Sequence, residues 1–328
     1  MGSKEWLRSY SSIEKREIEW LWYPYIPCGK ITILQGDPGE GKSTFIINLI
    51  ALLTRGLAMP DGSDGKEPMQ VLYQCAEDDK ADTIKPRLMV AGADCDRVSF
   101  IADDEETLTL DDKRIEQAIE DSGAKLFVLD PLQAYLPQDG DMQSAQRMRN
   151  VLRKLADIAA RHSCAVVLVG HLNKTAAGKS IYRGLGSIDI AAIARSVLLV
   201  ERDCDTTTIR YMRPIKASLA PEGPAIGFII GDEQGFSWIG PCEYGTDNVN
   251  EQSKRTQAAD EIQELLSVGD MESAEVLARL EELGVSRRTA QTAKKDLGVE
   301  AVKRGGKWYW RMPTGDKEKD KDAEETVI

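Results

Sequence analysis

The chain has 328 residues, 42% hydrophobic and 29% charged, with a formal net charge of −12. That is enough for one sizeable core plus a smaller unit, and the acidic balance excludes nonspecific nucleic-acid binding by the surface as a whole while leaving room for local basic patches. Two histidines, six scattered cysteines without a CxxC pair, and no apolar run near the roughly 20 residues of a membrane helix argue against His-rich metal centres, a disulfide or zinc scaffold, and a membrane protein.

The first residues, MGSKEWLRSY, carry no apolar signal stretch, so the cytoplasm is the expected location. Residues 1–28 combine an amphipathic stretch with the aromatic run Glu19-Trp20-Leu21-Trp22-Tyr23-Pro24-Tyr25, expected to pack on the core or on a neighbouring subunit. KITIL (30–34) reads as a buried strand, then a glycine-rich loop, then the helix STFIINLIALLTRG ending at Gly56. MQVLYQCA is a second strand, followed by a helical stretch over about 79–91, the short strand VSFIA and the helix DDKRIEQAIEDSG. KLFVLD is a third buried strand; an irregular segment (131–142) leads into the helix QSAQRMRNVLRKLADIAARH, and AVVLVG is a fourth strand. After a polar loop, SIDIAAIA reads as a short helix, SVLLVER and TIRYMRP as successive strands, and AIGFII and FSWIG close the sheet. Strands alternating with helices and ending in hairpins predict an α/β fold with a mostly parallel sheet covered on both faces.

Gly36-Asp37-Pro38-Gly39-Glu40-Gly41-Lys42-Ser43 satisfies the phosphate-loop pattern GxxxxGK[ST] without a gap, and Thr44 continues the nucleotide-binding run. The glycines let backbone N–H groups turn inward around phosphates, Lys42 is placed to reach the β- and γ-phosphates, and the Ser43 hydroxyl to hold Mg²⁺. Leu126-Phe127-Val128-Leu129-Asp130 ends a buried strand in a carboxylate suited to the Mg²⁺ shell. Glu77, at the tip of the strand after the phosphate-loop helix, is the expected group to orient or deprotonate an attacking water, with Asp78 and Asp79 as neighbouring alternatives. His171, at the tip of the fourth strand, is expected to hydrogen-bond the γ-phosphate and report its loss; His162, at a helix end, reads as a capping cation.

Together GDPGEGKST, CAEDD, LFVLDPLQAYL, VVLVGHLNK and RGLGSIDIAAIARSVLLV, over about residues 20–240, resemble the RepA-type ATPases of the RecA/DnaB-like superfamily, hexameric helicases of plasmids, phages and mobile elements. The resemblance implies a RecA-like core over 29–242, with ATP bound between subunits of a homo-oligomer, a hexamer in that superfamily. A neighbour's basic residue would then touch the γ-phosphate, either Arg195 (in Ile193-Ala194-Arg195-Ser196) or Lys216. Lys216 resembles the first position of the superfamily's K-x-[KR] hairpin, although Ser218 stands at the second basic position. Arg87 would stack on adenine. The loops 132–142 and 172–186 resemble channel-facing loops, so that Lys174, Lys179 and Arg183 would track single-stranded DNA in a central channel; Asp139 and Asp141 in the first loop are poor for that role.

Residues 243–256 read as a polar linker and 313–328 as a charged disordered tail. Between them, 257–312 read as three helices and a two-stranded hairpin around Gly305-Gly306, with Ser286 as N-cap of the third helix. Residues 256–285 carry one basic and eight acidic side chains, whereas 286–311 carry eight basic and two acidic ones. The third helix and the hairpin therefore look like the basic face of a winged helix, with Arg287, Arg288, Lys294, Lys295, Lys303, Arg304 and Lys307 facing duplex DNA or a replication protein, and with Trp308, Tyr309 and Trp310 in the wing's core. The reading as a whole is an ATP-driven DNA motor. A non-unwinding regulatory or recombination ATPase of the RecA or KaiC kind, and an ATP-switched initiator or adaptor, are the alternatives.

Overall fold

The computed structural model describes residues 8–103, 107–136, 145–171, 192–203, 206–231, 235–242, 257–267 and 269–313, and these divide into two compact units, Met1–Glu243 and Tyr244–Ile328. Outside the described residues lie Lys174, Lys179 and Arg183, the acidic pair Asp139 and Asp141, most of the SIDIAAIA segment, the linker and all but the first residue of the tail. The Arg288 side chain is likewise outside them.

The first unit is built on strands β1 (Trp20–Trp22), β2 (Ile26–Pro27), β3 (Ile31–Gly36), β4 (Val71–Cys75), β5 (Val98–Ser99), β6 (Leu126–Asp130), β7 (Ala165–His171), β8 (Ser196–Arg202), β9 (Ile209–Ala217), β10 (Ala225–Gly231) and β11 (Gly235–Cys242). Its helices are α1 (Lys42–Arg55), α2 (Lys85–Val90), α3 (Lys113–Ser122) and α4 (Ala145–His162). Among the described residues, nine strands form one sheet in the order β11-β10-β9-β8-β3-β7-β6-β4-β5. Each neighbouring pair from β8 to β5 is parallel, and β9, β10 and β11 extend that sheet antiparallel. This is the RecA-like α/β architecture expected from the sequence.

The central strands β3 and β6 are buried at every position and mostly apolar, because both faces are covered. Along β7, Val166 and Leu168 enter one core, and Ala165, Val167 and Val169 the opposite one. β6 alternates the same way, Phe127 and Leu129 against Leu126 and Val128. α1 seals one face through Phe45, Ile46, Leu49, Ile50 and Leu53, at helical spacing. It stops where Gly56 takes the left-handed conformation. α3 (Ile115, Ile119) and α4 (Val151, Leu152, Leu155, Ala159) seal the other. Each fully buried Leu, Ile or Phe contributes about 1.5–3 kcal/mol. The aromatic run near the N-terminus joins α1's core: Leu21, Trp22, Tyr25 and Ile26 are buried, and Trp22 stacks near Phe45. The expected strand VSFIA is only the two-residue β5. His162 lies in the last turn of α4, and its Nε2 is also 3.3 Å from Glu116 Oε1 on α3. The five described cysteines are free, and Cys164 alone among them is fully buried.

The second unit contains α5 (257–266), β12 (Met271–Glu272), α6 (Ser273–Glu282), α7 (Arg287–Asp296), β13 (Glu300–Arg304) and β14 (Lys307–Arg311). Ser286 caps α7 by accepting from the Thr289 amide. The hairpin is not two-stranded as expected: β12 pairs with β14 and makes a three-stranded sheet. Trp310 fills the core with Ile262, Val276 and Leu280, but Trp308 is 52% exposed and is not a core residue.

Candidate nucleotide site

The carboxyl ends of the parallel strands bring the chemistry together. Gly36 ends β3 beside His171 on β7, and Cys75 on β4 pairs with Asp130 on β6. Gly36 admits no side chain, since a Cβ would fall 2.4 Å from the Val200 carbonyl oxygen on β8. Gly39 and Gly41 take φ of 81° and 87°, the left-handed conformation that turns the loop inward, and Gly41 leads directly into α1. The helix N-terminus and inward-turned amides form an anion site.

Lys42 is 5% exposed and donates from Nζ to the Gly36 carbonyl at 2.9 Å and the Asp37 carbonyl at 2.8 Å. Burial pulls its pKa down, opposed by Asp130 and Asp37. Asp130, 4% exposed, accepts from the Tyr73 hydroxyl at 3.1 Å and shares a hydrogen bond with the Ser43 side chain. Burial pushes its carboxyl pKa up, and the two hydroxyls pull it back. A hydroxyl and a carboxylate held together are the hard oxygen donors that suit Mg²⁺, so Ser43 and Asp130 fit that ion.

The three acids after β4 separate by what they touch. Asp79 accepts from the amides of Ala81 and Asp82 and caps the following turn. Asp78 pairs with Arg87 at 2.6 Å. Glu77 is 64% exposed along its side chain, with Oε1 3.8 Å from His171 Nε2. His171 Nδ1 is buried and makes no hydrogen bond among the described residues. Glu77, Lys42, Ser43, Asp130 and His171 thus meet around one loop, with Arg87 tied to Asp78 at its rim.

Arg195 and Lys216 do not reach this site. The Arg195 amide bonds to Ile31 at the start of β3, and Lys216, opposite Val197, donates to the Ala194 carbonyl at 2.8 Å. From Ile31 to Gly36 is roughly 17 Å of strand at about 3.3 Å per residue. Both cations sit at the sheet end opposite their own phosphate loop.

The sequence reading missed Tyr73, Arg202 and Arg210. Arg202 and Arg210 face each other across β8 and β9, and Arg202 donates to the Gly39 carbonyl at 3.1 Å. A charged residue at the end of SVLLVER was a visible signal, but nothing local says that this strand end lies over the phosphate loop.

The profile of one family, described as AAA domain, matches residues 3–177, more than half of the chain. The chain belongs to the AAA domain family. No curated protein matches this AAA domain chain. Among solved structures, it is similar to the KaiC-like protein PH0186 of the hyperthermophilic archaeon Pyrococcus horikoshii OT3. That similarity has 19% identity and a TM-score of 0.47, over 65% of this chain and 90% of the other. The fold assignment rests on the sheet order rather than on that likeness. The family match of the AAA domain spans β1 to β7 and ends before β8. Among the described residues no helix is long and apolar enough to cross a membrane.

In the second unit the basic residues are largely engaged. Arg304 and Arg311 both pair with Asp270 at 2.8 Å, and Lys307 pairs with Glu272 at 2.7 Å. Lys294 lies over the Trp310 ring at 5.0 Å and Lys303 over Trp308 at 5.7 Å. The wing's cations thus have neighbouring carboxylates or rings as partners. Arg287 and Lys295 on α7 are exposed.

Proposed function

We propose that this AAA domain protein is a Mg²⁺-dependent ATP hydrolase that drives DNA remodelling, a RepA-like replicative motor acting on single-stranded DNA. The observation that carries the hydrolase reading is the separation of the three acids. Asp79 is spent on a cap and Asp78 on Arg87, which leaves Glu77 open beside His171. Glu77 would orient and deprotonate water, Lys42 and the loop amides would hold the phosphates, and Ser43 and Asp130 would hold Mg²⁺. Bound Mg²⁺ would neutralise charge on the phosphate oxygens. His171 would report the γ-phosphate. ATP as the nucleotide follows from the family resemblance, with Arg87 near the base after leaving Asp78.

Arg195 and Lys216 lie too far from their own loop to act in cis, which supports a homo-oligomer, a hexamer by resemblance, in which one of them reaches the next subunit's site. In the second unit, the order helix, strand, helix, helix, hairpin is that of a winged helix. Its α7, with Arg287, Arg288, Lys294 and Lys295, would meet duplex DNA, and Lys174, Lys179 and Arg183 would meet the single strand.

A second reading has an observation in its favour. The wing's cations are paired with Asp270 and Glu272, which suits a protein partner and an ATP switch that does not unwind. Steady-state ATPase with and without single-stranded DNA, followed by a duplex-unwinding assay, separates the two. Strong stimulation and directional unwinding support the motor. Turnover indifferent to DNA supports the switch or a KaiC-like regulatory ATPase.

A further inference from the structure

We infer that Arg202 and Arg210 are a second, same-subunit cation pair that binds the phosphate chain of the nucleotide held by the phosphate loop. This deepens the proposed function and rests on it. Both arginines come from β8 and β9, beyond the span that the family profile matches.

The two residues are direct cross-strand partners, an arrangement that like charges disfavour. They converge on the turn that leads into Lys42. Arg202 donates to the Gly39 carbonyl, and the Arg210 side chain lies against Gly41, with Cδ 3.4 Å and Nε 3.6 Å from where a Cβ would stand. The carboxylate that both guanidiniums face is Glu40, with Oε1 3.8 Å from Arg202 Nε.

Part of the cluster's hydrogen-bonding capacity is unspent. Arg210 is 7% exposed; it donates from one terminal nitrogen to the Thr207 carbonyl at 2.8 Å, while its buried Nε has no hydrogen-bond partner among the described residues. Arg202 Nε and Glu40 Oε2 are also buried and make no hydrogen bond among the described residues. Burial pushes the Glu40 carboxyl pKa up and the Arg210 pKa down, so both groups carry their charge at a cost here. Two guanidiniums thus share one imperfectly placed carboxylate next to an anion-binding loop. A phosphate chain supplies the missing acceptors, because the guanidinium fork matches phosphate oxygens in pairs. Glu40 then acts as the internal anion that the nucleotide displaces.

This assignment has a sign that a structural brace lacks. The full-length protein is titrated calorimetrically with Mg²⁺-ATP, Mg²⁺-ADP and inorganic pyrophosphate, with folding checked by circular dichroism. Arg202→Gln and Arg210→Gln are expected to weaken all three ligands roughly tenfold or more. Arg202→Lys and Arg210→Lys keep the charge but not the fork and are expected to fall between; they carry the test if a glutamine variant fails to fold. Glu40→Gln removes the competing anion and is expected to tighten binding about threefold or more. Folded arginine variants that bind like the wild type would overturn the inference, as would a Glu40→Gln variant that weakens binding in step with them. A wild type that binds ATP while these variants behave so leaves the hydrolase reading standing; a wild type that binds no nucleotide overturns both.

Discussion

The Tyr73 hydroxyl on β4 donates to Asp130 Oδ2 on β6 at 3.1 Å, inside the core, with β7 between β6 and the strand that leads into the phosphate loop. Two hydroxyls, Tyr73 and Ser43, bond a carboxylate whose pKa burial pushes up, and they pull it back. Tyr73→Phe removes one. The expected result is intact ATP binding with the Mg²⁺ concentration for half-maximal hydrolysis raised several-fold, on the order of one charge-assisted hydrogen bond. A Mg²⁺ titration of turnover checks it, and an unchanged midpoint would show that Tyr73 does not position Asp130.

Glu77 and Asp78 are adjacent but differently engaged. Glu77→Gln is expected to lower kcat by about 10²-fold or more with ATP affinity retained. Asp78→Asn is expected to cost only a few-fold. Single-turnover hydrolysis beside a binding titration distinguishes them, and a reversed order would move the base to Asp78.

Arg195 stands at the sheet end away from its own loop, so in the proposed oligomer its loss and the loss of Lys42 would affect different subunits' sites. Mixing Lys42→Ala with Arg195→Ala protein is expected to restore part of the activity that each lacks alone. The same mixture made with Lys216→Ala tests the other cation, and the pair that shows no recovery is not the one acting across the interface.

Gly36 has no room for a methyl group, because the Val200 carbonyl would lie 2.4 Å from it. Gly36→Ala must separate β3 from β8 and is expected to cost about 1–3 kcal/mol of stability as well as nucleotide binding. Denaturant unfolding without nucleotide reads the first effect by itself; an unchanged midpoint would mean that β8 yields freely.

In the second unit, hydrogen bonds from Arg311, with the charge of Arg304, hold the Asp270 carboxyl below its ordinary pKa. A lowered carboxyl value in the folded state gives stability that is complete above the unfolded value, near 3.9, and is lost as pH falls through the folded one. Asp270→Asn is therefore expected to lower hydrogen-exchange protection of residues 300–311 at pH 6, and the difference from the wild type should vanish toward pH 2–3. A difference independent of pH would mean that the pairing adds nothing to the wing.

Much of the site was legible because its signals are local. GDPGEGKS needs only a strand before it and a helix after it, and Leu126–Asp130 is an apolar run ending in an acid. The acids at 77–79 were harder. Local sequence offered three carboxylates, and only their partners, an amide pair for Asp79 and Arg87 for Asp78, set them apart. In the second unit the charge segregation was legible by position but its partners were not, because β12 folds back beside β14 and brings Asp270 and Glu272 onto Arg304 and Lys307.

The sequence by itself determined the α/β class, the phosphate loop, the tips of β4, β6 and β7 and the helical boundaries at Gly56 and Ser286. Each depends on the period of apolar residues, on a glycine's freedom or on a cap, all of which act within a few residues. Only the tertiary structure decided that Tyr73 holds Asp130, that Arg202 and Arg210 lie over Gly39 and Gly41, and that Arg195 and Lys216 sit at the far end. Those relationships depend on strand order and register. In a sheet where β8 lies next to β3 though some 160 residues later in the chain, register is set by the packing of both faces rather than by neighbouring residues.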